Sequence, residues 1–228
     1  MSYVKLNGLN MAIGNTKLGN DTLILNMGSA GNCPSAAMGS CKLGKKCYAL
    51  KAERLYVGCR PYRDQQEEYW LNHTAEEIAA DMVQLVTTKK RRVNGKLQPL
   101  YKSINWLRFN EAGDFWGQSC IEKLEVIAQA LRKYKIWVYG YSARADLDFS
   151  KVYKFSCKGS GHDNGNNGKT IARSKAAINE AVQLMSGGPD DVDVRSIGGE
   201  AFAVCKMDCK ICDLCKSFNN LNIVFPLH

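Results

Sequence analysis

The sequence predicts an α/β protein with a largely parallel sheet. Two observations carry this: apolar segments alternate along the chain between strand-like and helix-like periodicity, and neither an internal repeat nor a shift in composition marks a second domain. Parallel neighbours need crossover connections, and such alternation supplies them. A partial (β/α) barrel and an open sheet both satisfy the pattern, and in either the loops at the strand C-termini carry the site. With 228 residues, 45% of them hydrophobic and 23% charged, the chain suits one globular domain over residues 1–228.

The elements follow in order. "TLILNM" (22–27) is short, apolar and bounded by polar residues, as a first strand would be. Residues 60–90 read as helical. Within them Ala75, Ile78, Ala79, Met82, Val83 and Val86 share one helix face, and Thr74 with Glu77 forms a capping box. "YKSINWLRF" (101–109) alternates like a strand, 120–134 is a helix with Ile121, Leu124, Ile127, Ala128 and Leu131 on one face, and 135–142 is a strand. A strand over 151–157, a helix over 170–185 and short strands over 192–197 and 201–205 complete the reading.

No apolar run reaches membrane-spanning length, and the first residues lack the apolar region of a signal peptide. The expected setting is therefore the cytoplasm, with no membrane partner. In that setting ten cysteines point to metal or catalysis rather than disulfides. The net charge of +9 permits contact with anionic ligands or nucleic acid. Its densest cluster, Lys89, Lys90, Arg91 and Arg92, precedes an Asn-Gly turn, so it belongs to an exposed helix end or a hairpin; a solvated basic terminus and a phosphate-binding patch both fit.

Seven of the cysteines form two groups. Cys33, Cys41 and Cys47 follow the first strand inside a cysteine loop over 28–59, in which Cys59 is a candidate further ligand. Cys205, Cys209, Cys212 and Cys215 follow the last strand, in the loop 205–216. Zinc sites usually separate two Cys-x-x-Cys pairs by a spacer, because each pair supplies two corners of a tetrahedron. Cys209, Cys212 and Cys215 have no spacer, and three thiolates on one short loop with a fourth from elsewhere is how an iron–sulfur cube is commonly held. The pattern favours one or two 4Fe–4S clusters, with zinc as the alternative. If the two strands are neighbours, the two groups lie close together and share ligands. Cys120 and Cys157 read as core thiols.

Cys33, Cys41 and Cys47-Tyr48-Ala49, then "RFNEAGDF" (108–115), "YGYSAR" (139–144) and the C-terminal cysteines together resemble the bacteriophage gene-product-eighty-eight family, over roughly residues 20–216. That family is similar in outline to radical S-adenosylmethionine enzymes. The resemblance implies a partial (β/α) barrel like the radical SAM core, a 4Fe–4S cluster at the strand ends, a redox site that takes S-adenosylmethionine, and a host-cytoplasmic setting. A redox site in turn implies an electron donor protein as partner. The spacing differs from radical SAM enzymes, since Cys-x-x-x-Cys-x-x-Cys falls at 205–212 rather than after the first strand, and Gly198-Gly199-Glu200 precedes it.

Asn110, Glu111 and Asp114 end the 101–109 strand and Arg144 lies one strand later, so these four are the candidate cofactor-binding residues. Glu111 and Asp114 suit the amino group of a ligand or a cation, and Arg144 with Asp146 suits a carboxylate or phosphate. Each also has a plainer role, as a helix cap or a surface ion pair. "DNGNNGKT" (163–170) has Asp163 where a phosphate-binding loop needs glycine and reads as a flexible loop. His73, His162 and His228 form no hydrolase-like spacing, so no catalytic residue is assigned. Three functions stand open: an iron–sulfur enzyme, a non-catalytic iron–sulfur protein for electron transfer or structure, and a zinc-stapled nucleic-acid-binding protein.

Overall fold

The computed structural model describes residues 2–186, 192–210, 212–216 and 220–226; Ile211 of the second cysteine loop and His228 lie outside them. The chain opens with a hairpin of β1 (Ser2–Leu6) and β2 (Leu9–Ile13), turned by Asn7 and Gly8 at φ 49° and 86°. An Asn-Gly pair accepts positive φ at both central positions, as a type I′ turn requires. This hairpin lies outside the strands expected from the apolar runs. β3 (Thr22–Leu25) follows antiparallel to β2 and parallel to β6 (Trp106–Phe109).

Between β3 and β6 the expected helical stretch divides into α3 (Cys59–Asn72) and α4 (Ala75–Thr88), after the short α1 (Pro34–Ala37) and α2 (Tyr48–Leu55). The break is the capping box: Thr74 Oγ1 accepts from Glu77 N–H (3.2 Å), and Glu77 Oε2 accepts from Thr74 N–H (2.8 Å). α4 gives way to a hairpin of β4 (Lys90–Val93) and β5 (Lys96–Pro99). α5 (Gln118–Arg132), β7 (Trp137–Ser142) and β8 (Phe155–Ser160) come next. The expected strand at 151–157 thus begins later, at Phe155, and extends to Ser160.

The expected helix over 170–185 is replaced by three pieces: β9 (Lys169–Arg173), α6 (Lys175–Glu180) and β10 (Val182–Met185). Ser174 is the reason: its side chain accepts from Ala177 N–H at 3.1 Å and starts a new helix there. β11 (Val194–Ile197) and β12 (Glu200–Val204) form a hairpin whose turn is Gly198-Gly199, so the Gly-Gly-Glu segment serves as a turn. β13 (Ile223–Pro226) inserts between β9 and β12.

These strands form an eleven-stranded sheet in the order β1-β2-β3-β6-β7-β8-β9-β13-β12-β11-β10, with β4 and β5 apart. From β3 to β12 every neighbouring pair is parallel, and antiparallel strands flank both edges. The parallel sheet is as expected. Its order runs β3, β6, β7, β8, β9 without reversal, yet among the described residues it ends on two edges rather than closing into a barrel.

Strand alternation divides the sheet into two unlike faces. Leu107, Phe109, Val138, Phe155 and Cys157 join the main core with α3, α4 and α5, where Cys120 and Cys157 are buried thiols as anticipated. Ile178 of α6 packs on Phe202 and Val224 of the same face. The residues between them in sequence, Arg108, Tyr139, Tyr141 and Lys158, are paired across the strands on the opposite face. Among the described residues, no helix is long and apolar enough to cross a membrane.

Gly140 shows how closely the helix-side core is filled. A Cβ there would lie 2.6 Å from the Phe109 ring, which Phe115 and Phe155 hold edge-on at 5.3 and 5.4 Å. Gly140→Ala is expected to destabilise the protein by about 1–3 kcal/mol, read as a lower midpoint in urea denaturation.

Candidate functional site

The loop after β3 is fixed by buried carboxylates. Glu53 of α2 accepts from Ala30 N–H (2.7 Å) and Gly31 N–H (3.1 Å) and pairs with Arg63 of α3 at 2.8 Å. Both side chains are about 5% exposed or less, so the pair acts in a medium where breaking it is costly. Glu67 receives Ser29 N–H at 3.3 Å. Cys33 then opens α1, with Pro34 at its first position, where the missing N–H costs nothing.

Asp114 joins this loop to two strand ends. Its carboxylate accepts from Ser35 Oγ of α1, from Ser142 Oγ (2.7 Å) and Ala143 N–H (2.8 Å) after β7, and from Phe115 N–H (2.8 Å). Burial nevertheless pushes its carboxyl above the ordinary aspartate range, against those four hydrogen bonds. Asn110 takes a left-handed φ of 52° and accepts from Met27 N–H at 3.0 Å, and Asn26 Oδ1 accepts from Ala112 N–H at 2.8 Å. Arg144 is held by Asp146 through two bonds (2.7 and 2.6 Å) and donates to Phe115 O (2.6 Å) and Trp116 O (3.2 Å).

The four candidate cofactor-binding residues therefore gather at the C-terminal ends of β6 and β7. Asn110, Asp114 and Arg144 are buried and bonded within the fold. Glu111 keeps 24% side-chain exposure; Asn15 donates to it at 2.5 Å and Arg63 approaches to 4.0 Å.

The second cysteine group occupies residues 205–222, the crossover from β12 to its parallel neighbour β13. Among the described residues this crossover contains no helix. It lies on the sheet face that the helices leave uncovered. Cys205 N–H donates to Val224 O at 2.9 Å, and Cys215 is buried with Ala203, Ile223, Tyr141 and Leu214. Lys216, 3% exposed, donates to Cys209 O (3.0 Å) and Asp213 (2.7 Å) over the Trp106 ring. Lys158, fully buried in β8, donates to Asn167 O (2.6 Å) and Leu221 O (2.8 Å).

Electrostatics tie these groups together. Burial pushes the Cys205 thiol up to about 11, and Cys215, Cys209 and Cys212 add to the shift. Burial also raises Cys209, while Lys216 and Arg108 oppose it. Lys158 falls to about 8 through burial, partly offset by Cys215. In the first loop burial pushes Cys33 up to about 11, with Asp114 and Cys41 nearby. Cys47 packs against Ala30, Ala49 and Ala112, and Cys59 faces Arg63, Glu53 and Glu111. The two groups approach a common neighbour, since Tyr48, next to Cys47, and Cys215 both act on Arg108. Among the described residues, no three Cys, His, Asp or Glu side chains are arranged to hold a metal ion.

Lys89–Arg92 caps α4 and enters β4, in the hairpin turned by Asn94-Gly95. Arg91 is committed to Ser103 (2.6 and 2.5 Å) and to Asn20 O, which leaves Lys90 and Arg92 outward. Sequence reasoning passed over Arg108, Lys158, Lys216, Glu53 and Arg63. For the first two a signal existed, a charged residue inside an otherwise apolar or small-residue strand, "WLRF" and "FSCKGS".

The profile of gene product 88 matches residues 6–216. The chain belongs to the gene product 88 family. The match takes in both cysteine groups, the Asp114 tie and the whole parallel sheet up to β12, and it supports the expected phage gene-product family. No curated protein and no solved structure matches the chain.

Replacing Asp114 by Asn would turn an amide N–H toward donors that now face a carboxylate oxygen. Asp114→Asn is expected to cost about 1–3 kcal/mol and to speed proteolysis within residues 28–47, checked by denaturation and by mapping the first cleavage.

Proposed function

We propose that this chain is an iron–sulfur protein whose C-terminal cysteines, Cys205, Cys209, Cys212 and Cys215, hold a 4Fe–4S cluster on the helix-free face of the sheet. One observation carries the reading: a crossover with no helix among its described residues carries four thiols and the buried Lys216 over a sheet face that holds the buried Lys158. A metal centre bound by four thiolates carries net negative charge, and buried ammonium groups compensate it where water cannot. The fit lies in donor type and charge. Binding metal would draw the thiols into a coordination shell, as expected where metal binding and loop folding are coupled.

Cys33, Cys41 and Cys47 either complete this centre or hold a second cluster. Three thiols on a four-iron cube leave one iron open, and an open iron is where S-adenosylmethionine would bind in a radical-SAM-like site. In that arrangement Glu111 is the candidate residue that retains exposure toward a ligand. The cluster supplies one-electron chemistry, so the expected partner is an electron donor protein.

Protein purified without oxygen is expected to be brown, with iron and acid-labile sulfide in equal amounts. Cys209→Ser and Cys212→Ser should each remove the C-terminal share of that iron, and Cys33→Ser reports whether the first loop holds its own. Colourless protein with stoichiometric zinc would instead assign a zinc-stapled fold, with Lys90 and Arg92 as its contacts to nucleic acid. Unchanged metal in the Cys209 and Cys212 variants would remove the reading.

A further inference from the structure

We propose that Arg108, with Tyr139 and Tyr141, forms an oxyanion-binding site beneath the cysteine crossover, taking the carboxylate or phosphate group of a small molecule. The inference is independent of the metal reading and rests on donors that lack acceptors.

Arg108 is 8% exposed, near the C-terminal end of the interior strand β6, and it makes no ion pair among the described residues. A guanidinium carries five N–H donors. One bond is made, from Nη2 to Asn110 O at 3.3 Å. A buried cation left without a counter-charge costs several kcal/mol, so a fold that keeps one has an anion for it. The neighbouring buried cations do have partners: Lys216 of the crossover has Asp213, and two bonds hold Lys158 of β8 to carbonyls. Arg144 has Asp146.

The surroundings select the kind of anion. Arg108 Cζ lies 4.2 Å from the Tyr141 ring centroid and 5.5 Å from that of Tyr139, its cross-strand partner. A guanidinium laid along aromatic rings keeps its edge free, and that edge matches two oxygens of one carboxylate or phosphate. The Tyr139 hydroxyl is a second donor on the same face, fully buried and without a partner among the described residues. Tyr141 itself packs in one cluster with Cys215 and Leu214, so the ring beside Arg108 lies against the crossover. What is missing is an acceptor-rich, negatively charged group. Tyr48, 57% exposed and anchored by its hydroxyl to Glu111 O at 2.7 Å, lies within electrostatic range of Arg108. The position also fits the general rule that open α/β sheets bind ligands toward the C-terminal ends of their parallel strands.

The test titrates the full chain with inorganic phosphate and with citrate, against sodium chloride at equal ionic strength, and reads the thermal midpoint. Phosphate or citrate should raise the midpoint beyond chloride, and the stronger of the two names the ligand class. Arg108→Gln should abolish that response, Arg108→Lys should keep part of it, and the metal content of both should match the wild type. Should Arg108→Gln fail to fold, phenylglyoxal labelling of wild-type Arg108, read by peptide mass, should slow in the favoured anion. An equal response in Arg108→Gln, no response beyond chloride, or unprotected labelling would overturn the proposal. Loss of metal from Arg108→Gln without any anion effect would overturn it too, and would make the guanidinium the counter-charge of the metal–thiolate centre; the cysteine variants decide that centre separately.

Discussion

Strand alternation in β6, β7 and β8 is the constraint on which this molecule depends. It sends Leu107, Phe109, Val138, Phe155 and Cys157 into the helix-packed core, and it leaves Arg108, Tyr139, Tyr141 and Lys158 on the other face. Arg108, Tyr139 and Lys158 are nonetheless buried, and Tyr141 is half-buried. A face so rich in donors cannot be covered by another apolar helix without stranding its polar groups. The cover is instead the crossover 205–222, which gives Leu221 O to Lys158, packs Cys215 against Tyr141 and is tied to itself by Lys216. Cover and face are therefore one unit, and the chemistry proposed for this protein lies between them.

The strand ends are held by a different device. Asp114 gathers the first cysteine loop, the end of β6 and the end of β7 around one carboxylate, and Glu53 with Arg63 fastens the start of that loop to α2 and α3. Networks of this kind stabilise only when every member is satisfied. The acidic residues that strand-end position marks as ligand-binding thus do much of the work of shaping the loops. Glu111 is the one that the network leaves partly open.

Much of the fold was legible. The capping box at Thr74 and the helix face of α5 follow from local periodicity, and both appear where expected. The Asn7-Gly8 hairpin carried a readable turn signal that the weak apolarity of "SYVKL" obscured. The 170–185 segment misled because its spacing suits a helix, while Ser174 and pairing of Ile171 and Ala172 with β13 divide it. That pairing joins residues far apart in sequence, and no local pattern reports it. The same holds for the site: the cysteine groups were legible as clusters, whereas Arg108 became a candidate only when its neighbours were known.

By itself, then, the sequence determined the class of the fold, the strand-and-helix alternation that makes the sheet parallel, and the two groups of thiols, because each is a local pattern of residue types. Tertiary structure decided the rest. It set β13 between β9 and β12, which makes the C-terminal cysteine loop a crossover lying on the sheet rather than a tail. It brought Tyr48 from one cysteine loop and Cys215 from the other within electrostatic range of the same guanidinium. It also decided that Asp114 and Arg144 are bonded within the fold while Arg108 stands without a counter-charge among the described residues. The physical reason is that burial and partnership belong to pairs of distant residues, and a residue's chemistry follows from what surrounds it.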